Sequence, residues 1–236
     1  MASHGKQRHL KRQNVSVSSG LPRKGSMWMK KAMPGKHSSS ESIPLVFLLR
    51  DKLGLAENAR QAKKLLIQGE VLIDGLKAND LGTPVGLMDI ISIPKAGKYY
   101  RITVSKGKFA LQELKPDKTG VKYCRIDGKT INKKGKVQLN LHDSRVMLIE
   151  KEEDRFKVGD TILVSVPKQE LKGFLKLEKG ALCVVFKGRH AGETATLEEI
   201  LSREGSKPAD AKLSAGGKEL ITLKDYLIVV DKDFKG

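Results

Sequence analysis

The sequence predicts a multi-domain chain, α+β in one stretch and all-β beyond it, preceded by a basic arm. Three observations carry that prediction. Residues 43–93 contain two runs at helical spacing and two with strand character. From residue 96 onward the chain breaks into short alternating runs separated by turn residues. Residues 1–40 have no hydrophobic period and no acidic side chain. The 236 residues suffice for one large or several small domains, with boundaries placed at 1–40, 41–95, 96–170 and 171–236.

The arm carries Lys6, Arg8, Lys11, Arg12, Arg23, Lys24, Lys30, Lys31 and Lys36 among Ser, Gly and Pro. With so little apolar surface it cannot fold alone. A passive tail, or a targeting peptide rich in Ser and Arg, would have the same composition. Trp28 between Met27 and Met29, with His9 and His37 among the cations, favours ordering on RNA, because a ring among cations can stack on a base.

In residues 43–93, Pro44 suits the first position of a helix, where a missing N–H costs nothing. Leu45, Val46, Leu48, Leu49 and Leu53 follow at helical spacing until Gly54. Asn58 caps a second helix, Ala59 to Gln68, and Gly69 ends it. Its Ala62, Leu65 and Leu66 share one face, and Arg60, Lys63 and Lys64 fall largely on the other. A strand at 71–73 runs into Asp74-Gly75, a strong hairpin signal, and a β run from Asp89 to Ile93 closes the stretch. Cations on a helix face that the core does not use are either routine solvated charge or a platform for phosphate. Arg50 and Lys52 stand beside this platform as further candidates.

Four pieces of this stretch resemble the S-four-type (alpha-L) RNA-binding domain: 59–62, 65–69, 71–75 and 86–93. Asp74 stands where that family usually has Asn, and its Gly-Asp step is split here as Gly86 and Asp89. The resemblance implies binding of structured RNA.

Residues 96–170 read as β throughout, a small antiparallel barrel or sandwich. Runs at 99–104 and 109–114 flank Lys106-Gly107. The run 123–126 precedes Asp127-Gly128, read as a second turn, and strands at 137–141, 146–149 and 161–166 follow. His142-Asp143-Ser144 has the residue types of a catalytic triad. Consecutive residues cannot align as nucleophile, base and orienter, so a polar turn is expected.

In residues 171–236, a strand at 180–186 leads into a tight basic loop at 187–192, where Lys187, Arg189 and His190 project. A strand at 194–197 returns. Residues 202–217 read as a polar loop, and 220–223 and 226–230 as closing strands. The loop resembles the KOW motif of SH3-like barrels, departing from it at Ala195.

A formal charge of +18 points to a polyanionic partner. No run approaches the roughly 18 apolar residues of a membrane span, and the N-terminus lacks the apolar core of a secretory signal. Cys124 and Cys183 are expected reduced, each in a strand. The sequence has no phosphate loop of the GxxxxGK type, no paired-cysteine spacing and no HExxH, so neither metal nor cofactor nor small-molecule substrate is expected.

The pieces 9–12, 22–25, Trp28, 34–37 and 41–45 resemble, in order, the N-terminal extension of the "S four e" family of small-subunit ribosomal proteins of archaea and eukaryotes. Residues 122–126 and 139–143 resemble its central domain, although that family usually has Gly where Ser144 stands. The length suits an archaeal member. The resemblance implies a non-enzymatic, ribosome-bound cytoplasmic protein contacting small-subunit ribosomal RNA and neighbouring ribosomal proteins. Two readings compete. Pseudouridine synthases carry the same helical module, but their Arg-Leu-Asp context is missing here. KOW-type transcription elongation factors share the terminal motif.

Overall fold

The computed structural model describes residues 9–132, 135–202 and 208–235. They group into two units, 9–102 with 108–119, and 103–107 with 120–235.

In the first unit the arm has more structure than its composition predicts. Leu10–Lys11 (β1) pairs antiparallel with Trp28–Met29 (β2), and Met29 is buried. Between them Arg12 donates to the carbonyl of Pro22 and to Ser26 Oγ (3.0 Å), and Ser19 Oγ donates to the Ser16 carbonyl (2.8 Å). Short polar side chains thus satisfy the backbone where no ladder does.

Ser42–Pro44 (β3) leads into Leu45–Phe47 (α1), which widens into a π turn over Leu48–Lys52, closed by Leu53 N donating to Leu48 O at 2.9 Å. Leu45, Val46, Leu48 and Leu49 are buried, as the apolar spacing predicts, and so is Phe47, while Leu53 is half-buried. Ala59–Ile67 (α2) has both expected ends. Asn58 Oδ1 accepts from Gln61 N (2.9 Å), and Gln61 Oε1 accepts from Glu57 N (2.8 Å). At the other end Gly69 N donates to Leu66 O (2.9 Å) and Glu70 N to Leu65 O (3.2 Å), with Gly69 at φ +67°.

Leu72–Ile73 (β4) and Leu76–Lys77 (β5) join through Asp74-Gly75, whose φ values of 51° and 77° suit a tight hairpin. Pro84–Gly86 (β6) pairs with β3, with Pro44 opposite Pro84. The sequence carried no sign of this pairing, because proline reads against a ladder it cannot donate to. Ile90–Ile93 (β7), Lys98–Ser105 (β8) and Lys108–Glu113 (β9) complete a sheet of order β5-β4-β7-β8-β9. The hairpin at 98–113, grouped by sequence with the later strands, therefore extends the sheet of the helical module, with Ile90 opposite Arg101.

The second unit holds two antiparallel five-stranded sheets. Val121–Ile131 (β10), Val137–Leu141 (β11), Val146–Ile149 (β12), Thr161–Ser165 (β13) and Leu171–Leu175 (β14) form one, in the order β12-β11-β10-β13-β14. Leu182–Val185 (β15), Thr194–Leu201 (β16), Asp210–Ala215 (β17), Lys218–Leu223 (β18) and Leu227–Val229 (β19) form the other, in the order β18-β17-β16-β15-β19. Each has its own aliphatic core, with Cys124 in the first and Cys183 in the second, both free thiols as expected. Polar ties join the two sheets: Val229 N donates to Thr161 Oγ1 (3.0 Å) and Leu177 N to Asp160 Oδ1 (2.9 Å).

Two expectations are corrected here, and one strand was not anticipated. Asp127-Gly128 is not a turn. The register steps from Ile126–Leu141 to Gly128–Asn140, so Asp127 is the extra residue of a bulge inside β10, beside Arg125 Nε at 3.0 Å. Much of 202–217 is strand β17, where buried Ala211 and Leu213 alternate with Lys212 and Ser214, and residues 203–207 lie outside the described residues. Strand β14 gave no sequence signal, because Lys172 and Gly173 interrupt its apolar residues.

Candidate nucleic-acid interface

The candidate site is built on α2. The double cap fixes the helix, and Ala62 and Leu66 are buried against the module. Arg60, Lys63 and Lys64 are exposed on the opposite face, and none forms an ion pair among the described residues. Ile67 continues the same stripe at helical spacing and is 76% exposed, an apolar residue that charge-based reading passed over. Lys77, also exposed, lies against Gly69 at the end of α2, and only the hairpin brings it there.

The other predicted residues divide into presented and committed groups. Lys11, Arg23 and Lys24 are exposed and form no ion pair among the described residues. Trp28 is half exposed, with the His9 ring 5.5 Å away. Lys30 is exposed and lies 3.8 Å from Asp80, while Lys31 is half-buried. Lys6 and Arg8 lie outside the described residues. In the second unit Lys187 and Arg189 are exposed, and His190 Nδ1 sits 3.8 Å from Glu193.

Several of the predicted side chains already have partners within the fold. His37 is buried, its Nε2 3.0 Å from Asp89 Oδ2, which also accepts from Gly86 N at 2.9 Å. Lys36 Nζ donates to Asp74 Oδ2 at 2.8 Å, and Asp74 Oδ1 accepts from Ile90 N at 3.0 Å. Both aspartates are fully buried. The residue that departs from the usual Asn thus supplies the anion that holds Lys36. Arg12 is engaged by Pro22 and Ser26. Arg50 chelates Asp51 (3.0 and 2.9 Å), and the bond to Asp51, against the cost of burial, holds its pKa above the ordinary value. Lys52 donates to the Phe109 carbonyl at 3.4 Å.

The 142–144 segment is the polar turn expected. Ser144 occupies φ +60°, a conformation that favours the usual Gly. Asp143 and Lys122 are both fully buried and 2.8 Å apart, with Arg145 Nε at 3.1 Å. Burial alone would push the Asp143 carboxyl up, but Lys122, His142 and Arg145 together hold it below its ordinary 3.8. Donor atoms of Cys124, His142 and Asp143 lie within 4.8 Å of one another. Two cations already sit on that carboxylate, and His142 Nδ1 accepts from Arg125 N at 3.2 Å, which makes the cluster a structural hub.

Among the described residues no helix is long and apolar enough to cross a membrane. The family model "Ribosomal family S4e" matches residues 96–171, and the S4 domain model matches residues 43–91. The small ribosomal subunit protein eS4 of Methanocaldococcus jannaschii is 42% identical over 98% of this chain and 96% of its own length. That of Methanothermobacter thermautotrophicus is 40% identical over 99% of this chain and 96% of its own. The crystal structure of the 30S ribosomal protein S4e from Thermoplasma acidophilum superposes with a TM-score of 0.70 at 27% identity, covering 82% of this chain and 96% of that one. With an S4 domain leading into an S4e-type β region and near full-length identity of this order, the chain belongs to the ribosomal S4e family.

Proposed function

We propose that this chain is a non-enzymatic structural constituent of the small ribosomal subunit, binding ribosomal RNA in support of translation. The observation that carries the reading is the α2 face: three cations on a doubly capped helix, uncommitted to any ion pair among the described residues. Neither the RNA-modifying enzyme nor the transcription elongation factor finds support among the relatives, which are named as small-subunit proteins. The partners in this reading are small-subunit ribosomal RNA and neighbouring ribosomal proteins. The arm and the S4 domain contribute most of the phosphate contacts. The C-terminal sheet acts as an SH3-like KOW module offering Lys187 and Arg189.

Binding of a small-subunit ribosomal RNA fragment measured across a salt series tests the reading. Lys11, Arg23, Lys24, Arg60, Lys63, Lys64, Lys187 and Arg189 are among the exposed candidates. If about eight phosphates are neutralised, log affinity falls against log salt with a slope near −7. A flat response refutes the reading.

A further inference from the structure

The two strands of the arm sort their side chains by face, because successive residues of a strand point to opposite sides. Leu10 of β1 lies opposite Met29 of β2 and forms the inner side, where Met29 is buried. Lys11 lies opposite Trp28 and forms the outer side. Trp28 is 53% exposed there, and His9, just before β1, leans on it with ring centroids 5.5 Å apart and planes tilted by 54°. The backbone beneath the ring is anchored on both sides of it. Arg12 N donates to Met27 O at 3.0 Å, and Ser26 Oγ donates to Trp28 O at 3.3 Å. Lys11 is exposed and forms no ion pair among the described residues, and residues 9–29 contain neither Asp nor Glu.

An indole kept in water on an anchored backbone, directly across from an unpaired ammonium, suits a ligand with a flat π face and an anion beside it. A nucleotide whose base is unpaired has both. A paired base does not serve, because in an A-form duplex its faces are covered by neighbouring bases and only edges, ribose and phosphate are offered. We propose that Trp28 stacks on one unpaired base of RNA while Lys11 holds a phosphate next to it. The inference rests on the RNA-binding reading above and adds to it a preference for RNA whose pairing is interrupted.

Trp28 is the only tryptophan of the chain, so indole fluorescence reports this site alone. The full chain is titrated with two RNA hairpins of the same stem sequence, one fully paired and one with a single bulged nucleotide. Anisotropy of the labelled RNA reads affinity, and indole emission reads contact. Wild-type protein should bind the bulged hairpin about tenfold tighter, the scale of one stacked base. At saturation that hairpin should quench Trp28 strongly, and the paired one should leave its emission nearly unchanged. Trp28→Ala should bring the two affinities together, and Trp28→Phe, which keeps a ring, should retain a preference. Lys11→Ala should lower the magnitude of the salt slope by about 0.7–0.9, the share of one phosphate, with the quench still present. Equal wild-type affinities, equal quenching by the two hairpins, a preference that survives Trp28→Ala, or a slope unmoved by Lys11→Ala overturns the proposal while leaving RNA binding intact. A ring that packs on a neighbouring protein instead would give the first of these results. Failure to bind either hairpin overturns the parent reading and this proposal with it. The wild-type quench does not depend on the folding of any variant.

Discussion

Replacing Arg60, Lys63 and Lys64 together by alanine removes three charges from one helix face and nothing from the core. The buried residues of α2 are Ala62 and Leu66, and the caps at Asn58 and Gly69 are untouched. Alanine is at least as good a helix former as Arg or Lys, so the thermal melt should hold or rise by a few tenths of a kcal/mol. Each phosphate contact contributes about 0.9 to the salt slope, so losing three lowers its magnitude by about 2.7. At about 0.1 M salt that corresponds to roughly a 500-fold loss of affinity, shrinking toward nothing as about 1 M is approached. Anisotropy titrations of a ribosomal RNA fragment at several salt concentrations, with a melt of each protein, read both quantities. An unchanged slope would mean that these side chains do not meet phosphate. Loss of the cooperative melt would mean that they belong to the fold, and either result refutes the reasoning.

Asp143→Asn strands the buried Lys122 ammonium and should cost about 3–5 kcal/mol of unfolding free energy in a denaturant titration. Because the folded carboxyl titrates below its ordinary 3.8, its contribution is complete above that value and lost as pH falls through the lower folded one. The stability gap between wild type and variant should therefore narrow only in that acid range. Gly86→Ala would put a Cβ 2.5 Å from the His37 ring, and should destabilise the first unit by about 1–3 kcal/mol. Limited proteolysis should then cut at Ser38–Ser40 faster than in wild type, and an unchanged rate would mean that the His37–Asp89 latch does not hold the arm. Burial pushes the Cys183 thiol up to about 12, so it should resist alkylation at pH 8 in the native protein and react on unfolding.

The elements that could be read from the sequence are those whose signals are local. Asn58 and Gly69 bracket α2, Asp74-Gly75 and Lys106-Gly107 mark hairpins, apolar alternation marks β11, and an unbroken apolar run marks β12. What escaped depends on partners distant in sequence. The β3–β6 pairing sets two prolines opposite each other, and β17 hides its core alternation in a polar, Gly-containing stretch. Asp127-Gly128 has hairpin chemistry but sits inside a long strand, where the opposing residues of β11 turn it into a bulge. At the site, charge and exposure agreed for Arg60, Lys63 and Lys64. They parted at Lys36 and His37, because nothing near them in sequence announces that Asp74 and Asp89, 38 and 52 residues away, will engage them.

The most direct test of the central claim is sedimentation of cell extract through sucrose gradients at low and high salt, following this chain by antibody. The account predicts that at low salt the chain travels with particles of small-subunit size and is released as salt rises, because phosphate contacts dominate its hold. A chain found only at the top of the low-salt gradient would contradict it.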